Sequence, residues 1–185
     1  MISPTTRPQQ SKADTVVSLR DKGFSLDKAY LVGYRGYYSR TFAPDGNNRQ
    51  VYDDAMFLIS PGHFSSYNFN TDPGAYRQGI ATLLPGCWRY KVGIHGLSKP
   101  KDQQYKAFVQ AAKVTVQRDQ SITESGYFGI NIHPGGNTTV SSLGCQTIYN
   151  PQWADFFSTT CSEMLRYGHD VIDYILIDLD QIQKH

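Results

Sequence analysis

From Tyr30 onward the chain is a succession of short runs of β-forming residues, each halted by Gly, Pro, Asn or Asp before a long helix could establish itself. LVGYRGYYSRTF (31–42) and AMFLISP (55–61) read as strands, with Asp45-Gly46 as a turn signal between them. SSYNFNTDPG (65–74) alternates and then breaks at Asp72-Pro73-Gly74. GIATLLPGCWRYKVGIHG (79–96) reads as one or two strands around Pro85-Gly86. VTVQRD (114–119), YFGINIH (127–133) and VIDYILIDL (171–179) complete the set. Three segments carry helical patterns: 13–22, stopped by Gly23; the short amphipathic run DQQYKAFVQAA (102–112); and PQWADFFSTTCSEMLRYG (151–168), opened by Asn150-Pro151 and ended by Gly168. Residues 1–12 are polar and contain Pro, and predict a flexible arm. Many strands with two or three helices predict one β-rich α+β domain over 13–185, with a mixed-sheet or sandwich core.

Size and charge narrow the function classes. A chain of 185 residues suits a single core, and 39% hydrophobic against 18% charged residues excludes a disordered chain. The 13 tyrosines fit a strand-rich domain, because each packs a ring and still offers a hydroxyl. A net charge of +2, with no run of Lys or Arg, gives nucleic acid no basic stripe. No apolar run is long enough to span a bilayer, and the first residues lack the apolar core of a secretion signal. Synthesis in a cytoplasm without a signal peptide is therefore expected, and nothing implies an oligomer. Cys87, Cys145 and Cys161 cannot all pair, and their spacing matches no zinc finger. No metal or cofactor is called for. Cys87 and Cys161 read as small buried hydrophobes.

The chemistry concentrates in GINIHPGGNTTVSSLGCQTI (129–148). A strand ends in His133, a Gly-rich polar loop follows, and Ser142-Leu143-Gly144-Cys145 opens a turn leading towards a helix. Twelve positions separate His133 from Cys145, so a loop folding back could join the two side chains. A thiol is mostly protonated at neutral pH, and a neighbouring imidazole can take its proton. Gly144 lets the backbone approach a substrate, and the amides of Gly144 and Cys145 are candidate oxyanion donors, each worth about 3 kcal/mol in the transition state. Ser142 is a candidate for holding the loop. A carbonyl of the Pro134-Gly135-Gly136 turn is a candidate for orienting the imidazole. His95, in a second Ile-His-Gly context, reads as structural or rim-lining. Arg118 could pair with neighbouring acids or bind a substrate carboxylate. The order His-then-Cys sets the chain apart from papain-like, NlpC-like and transglutaminase-like enzymes.

Ile132-His133-Pro134-Gly135-Gly136 followed by Ser142-Leu143-Gly144-Cys145 resembles the catalytic motif of the L,D-transpeptidase family. PGCWRYKVG (85–93) and VIDYILI (171–177) look like further strands of that family, so the resemblance covers roughly residues 50–178. YDDAMFLISP, NFNTDPG, WRYKVGIHGLSKP and FGINIHPGG with SLGCQTI look most like phage-encoded lysis proteins, or endolysins. The resemblance implies an L,D-transpeptidase-like fold and a cysteine peptidase acting on peptidoglycan peptides near meso-diaminopimelate. It implies Cys145 as nucleophile and His133 as base; Arg118, Tyr127, Asn131, Gln146, Thr147 and His95 are candidate substrate contacts around them. It also implies action at the cell wall after release by a holin or another device. Leu143 stands where the family has His, and Thr147 where it has Arg or Asn. Those departures favour hydrolysis over cross-link formation; a transpeptidase and a non-catalytic wall-binding module are the alternatives.

Overall fold

The computed structural model describes residues 2–38, 49–119 and 122–179. Eight strands close into a barrel: β1 (Tyr30–Arg35), β11 (Val171–Asp178), β5 (Gly86–His95), β6 (Tyr105–Gln110), β9 (Ile132–Pro134), β10 (Gln146–Ile148), β3 (Phe64–Asn70) and β2 (Asp54–Ile59), in that order around it. Two neighbouring pairs, β1 with β11 and β9 with β10, are parallel. A second sheet joins β4 (Ala81–Leu83), β7 (Val114–Arg118) and β8 (Ile122–Gly126). The fold is thus β-rich α+β, as expected, and its large mixed sheet closes into a barrel.

Strand alternation divides the apolar residues into two sets. Leu31, Met56, Leu58, Tyr67, Phe69, Tyr90, Phe108, Ile132, Ile148, Tyr174 and Leu176 form the larger core, which also takes Leu83, Val114 and Val116 from the small sheet. Tyr30, Val32, Tyr34, Ala55, Phe57, Ile59, Ile175 and Ile177 face the other way and pack with Leu19 of helix α1 (Lys12–Asp21). Covering both faces explains why all six residues of β1 are buried. Gly33 is the close approach within it: a Cβ there would stand 2.6 Å from the Tyr174 hydroxyl.

Helix α1 starts where Ser11 Oγ accepts from the Asp14 amide at 3.1 Å, and Gly23 follows it at φ 84°. Helix α2 (Trp153–Arg166) buries Phe156, Thr160, Glu163 and Met164, the three-and-four spacing of one helical face. It ends at Gly168 (φ 66°), where the His169 amide reaches back to the Met164 carbonyl at 2.9 Å. No helix of the described residues is long and apolar enough to cross a membrane.

Several sequence expectations need correction. The run 102–112 is no helix: after a 3₁₀ turn (Lys101–Gln103) it is β6, because pairing along β5 outweighs a weak helical pattern. Of the expected strand 127–133 only Ile132 and His133 lie in a strand, β9, and β8 precedes the rest. Cys145 leads into strand β10, where a turn towards a helix was expected. The strand expected over 31–42 ends at Arg35; positions 39–42 and the Asp45-Gly46 turn lie outside the described residues. Residues 1–12 were expected to form a flexible arm, and several of them bond to the rest of the domain. Asn68 Nδ2 donates to Ser3 Oγ at 3.0 Å, and Arg7 pairs with Asp155 at 2.9 Å. Cys87, expected to be buried, is exposed, whereas Cys161 packs partly buried against the core.

Candidate active site

The parallel pair β9 and β10 sets the register that brings the candidate nucleophile near the candidate base. Gln146 is level with Ile132 and Thr147 with His133. One step earlier, the Gln146 amide donates to the Asn131 carbonyl at 2.9 Å, and the Asn131 amide lies 3.5 Å from Cys145 Sγ. Ile132 and Ile148 point into the core, so Asn131, His133 and Cys145 share the opposite face. Across β6 and β5, where His95 pairs with Tyr105, that face also carries the second imidazole.

His133 is 4% exposed, and its Nδ1 lies 2.8 Å from its neighbour Pro134's carbonyl oxygen. A carbonyl only accepts, so Nδ1 carries the proton and Nε2 is left as the basic nitrogen. The Tyr105 hydroxyl is 3.3 Å from the same Nδ1. His95 stacks on His133 with centroids 4.2 Å apart, and its Nδ1 is 3.0 Å from Asn131 Nδ2. Burial, reinforced by His95, lowers the His133 pKa to about 4; burial also lowers that of His95. Burial pushes the Cys145 thiol up, against a smaller opposing contribution from the Asn131 amide. The resting pair is therefore neutral thiol beside neutral imidazole. The thiol donates to the Gly129 carbonyl at 3.3 Å, and one nitrogen of each imidazole lies within 4.8 Å of the sulfur.

The turn before Cys145 is built differently from the expectation. Ser142 Oγ accepts from the Gly144 amide at 3.1 Å and donates to the Cys145 carbonyl at 2.7 Å. The Gly144 amide is thus committed to the loop and is not an oxyanion donor; no acceptor for the Cys145 amide stands among the described residues. Gly144 adopts φ 122°, and a Cβ there would meet the Ala81 carbonyl oxygen at 2.6 Å, so the small sheet backs the turn. Gly135 donates to the Ile148 carbonyl at 2.9 Å, and the Gly136 carbonyl accepts from Tyr52 at 3.2 Å. Both glycines shape the loop.

The other candidates separate. Gln146 and Thr147 are fully buried. Gln146 accepts from the Tyr174 hydroxyl at 3.1 Å and donates to the Thr71 carbonyl at 3.0 Å, which makes it an anchor for the loop and not a substrate contact. Arg118 lies in the small sheet, paired with Glu124 at 3.0 Å and bonded to the Gly79 carbonyl. Tyr127 and Leu143 are exposed. Tyr105 was missed in the sequence because its segment read as a helix; read as a strand, Tyr-Lys-Ala-Phe-Val-Gln would have formed a hairpin with 86–95 and set Tyr105 opposite His95. Beside Ile80 and Thr82 opens a cavity of about 500 Å³, lined also by Arg49, Tyr76 and Arg77. No protein-family model, no curated protein and no solved structure matches this chain.

Proposed function

We propose that this chain is a cysteine peptidase acting on the peptide part of bacterial peptidoglycan, with Cys145 as nucleophile and His133 as general base. The observation that carries the catalytic part is the fixed tautomer: the Pro134 carbonyl holds the Nδ1 proton and leaves Nε2 as the basic nitrogen, in a ring of which one nitrogen lies within 4.8 Å of the Cys145 sulfur. The substrate class rests on the resemblance of the 129–148 segment to L,D-transpeptidases and lysis proteins.

In this mechanism the thiol transfers its proton to His133 Nε2 as sulfur attacks a peptide carbonyl near meso-diaminopimelate. The Cys145 amide donates to the developing oxyanion. The imidazolium then protonates the leaving amine, which departs and leaves a thioester. Water, deprotonated by the same nitrogen, releases the new carboxylate and the free thiol. The lowered pKa of His133 keeps the base unprotonated throughout the neutral range.

Hydrolysis is favoured over transfer by Leu143. This exposed apolar side chain next to the motif cannot hold an incoming amine, and the loss of one polar contact is worth about 1–3 kcal/mol. Purified sacculi and cross-linked muropeptides, digested and read by chromatography with mass detection, test the reading. Cross-linked species should shrink to monomers with the native chain and persist with Cys145→Ala. Iodoacetamide should abolish digestion, and a chelator should not. Efficient exchange of an added D-amino acid without loss of cross-links would make the protein a transferase. Sacculus binding with no cleavage by either form would make it a wall-binding module.

A further inference from the structure

The proposed peptidase chemistry gives His95 no task, yet its ring is stacked on the base at a 31° tilt. One nitrogen from His95, one from His133 and the sulfur of Cys145 lie within 4.8 Å of one another, although three separate segments supply them. Two imidazoles and a thiol are a donor set for borderline or soft divalent ions. Around a tetrahedral zinc ion, with nitrogen at about 2.0–2.1 Å and sulfur at about 2.3 Å, donor atoms stand roughly 3.3–3.6 Å apart. Closing on an ion therefore needs an inward shift of about 1 Å, within reach of small side-chain rotations.

Of the outer hydrogen bonds that ligating imidazoles ordinarily use, that of His133 is in place and that of His95 needs one side-chain rotation. His133 Nδ1 is held by the Pro134 carbonyl at 2.8 Å, and His95 Nδ1 by the Asn131 amide at 3.0 Å. A half-turn of that amide presents its oxygen in place of its NH2 group, which suits a neutral, Nε2-ligating His95. The Asn131 backbone amide adds a contact to the sulfur at 3.5 Å. We infer that His95, His133 and Cys145 form a site for one thiophilic divalent ion, Zn²⁺ first among them, and that its occupancy silences Cys145 as a nucleophile. A sulfur–metal bond replaces the S–H bond, the proton passes to the buffer, and no electron changes hands. A fourth position remains for water. Binding of the ion needs nothing from the peptidase reading; only the silencing rests on it.

The test uses the full chain, stripped with chelator, with Co²⁺ as the probe and Zn²⁺ as competitor. One equivalent of Co²⁺ should give a thiolate-to-cobalt charge-transfer band and the ligand-field bands of a four-coordinate site, both abolished by one equivalent of Zn²⁺. Cys145→Ser should remove the charge-transfer band, and His95→Gln should weaken binding at least tenfold. Asn131→Ala should weaken it by about 10- to 100-fold. Absence of the band in the native chain, or unchanged affinity in a folded His95→Gln, overturns the inference. A second measurement needs no variant: Zn²⁺ should slow iodoacetamide labelling of Cys145, read by peptide mass, and leave exposed Cys87 unaffected. Equal labelling of Cys145 with and without Zn²⁺ overturns it as well. Cobalt bands without any sacculus digestion would support the site and retire the peptidase reading. Digestion undiminished by saturating Zn²⁺ would overturn the silencing.

Discussion

Two tyrosines of the barrel interior should respond with opposite signs when their hydroxyls are removed. Tyr90 and Tyr174 are both fully buried and meet edge to face at 5.8 Å, so their rings contribute alike. Their oxygens differ. Tyr174 donates to Gln146 Oε1 at 3.1 Å, whereas the Tyr90 oxygen has no hydrogen-bond partner. A buried hydroxyl without a partner costs about 1–3 kcal/mol. Tyr90→Phe keeps the ring and removes that cost, less the contacts of one oxygen atom, for a net gain of about 1 kcal/mol. In a chain of this size that is a rise in Tm of roughly 2–4 °C. Tyr174→Phe strands a buried acceptor on Gln146 and should lose about 1–2 kcal/mol. Urea denaturation with an unchanged m-value is the assay, because a shifted midpoint at constant slope reports stability alone. If Tyr90→Phe lost 1 kcal/mol or more, the hydroxyl would have a partner in solution, and the reasoning from its isolation would fail.

Gly144→Ala should lose about 2–4 kcal/mol, because a left-handed backbone conformation and a clash with the Ala81 carbonyl add together; Gly23→Ala, also at positive φ but with nothing within 4 Å, should lose only about 1–2 kcal/mol in the same urea series. Ser142→Ala leaves the buried Gly144 amide without an acceptor and should cost about 1–3 kcal/mol, with sacculus digestion falling further than stability does. The folded-state pKa of His133 lies below its unfolded value, so its contribution is present above about pH 6.5 and is lost as pH falls towards about 4. The shift corresponds to about 3 kcal/mol. In chelator-containing buffer, the native chain should therefore lose more stability than His133→Gln between pH 7 and pH 4.5; parallel pH profiles would refute the assignment.

The legible parts of this chain were those set by local rules. Helix α2 announces itself by Pro151, a three-and-four apolar face and Gly168, and β5 and β11 by long β-forming runs. That Cys145 and His133 come within 4.8 Å of each other was legible, because Gly-Cys after a Gly-rich loop is a local pattern. What failed depends on partners distant in sequence. Residues 105–110 carry enough helix formers to read as a helix, and their strand partners β5 and β9 decide for a strand. The three-residue strands β9 and β10 are too short to signal themselves, and they exist because each pairs with the other and with a neighbour distant in sequence, β6 for β9 and β3 for β10. The commitment of the Gly144 amide to Ser142 is likewise invisible, since a glycine before a cysteine suits an open amide and a capped one equally.

The spacing of the site follows from the topology. His133 belongs to β9 and Cys145 immediately precedes β10, and those strands are adjacent and parallel. Parallel neighbours cannot be joined by a tight hairpin; the chain must return to the starting end, which takes about a dozen residues. The segment from Gly135 to Cys145 is close to that minimum and makes the return without a helix. It has no core of its own, so its shape comes from outside: Tyr52 on the Gly136 and Thr139 carbonyls, Gly74 on the Ser142 carbonyl, and Ala81 against Gly144. Gln146 then ties the exit of the loop to Tyr174 and Thr71, and Thr71 is itself held by Asp54 and Arg35. The thiol is thereby referenced to the barrel interior and not to a free loop. A return of this length, starting beside an imidazole and ending beside a thiol on the same face, brings one ring nitrogen and the sulfur to within 4.8 Å of each other.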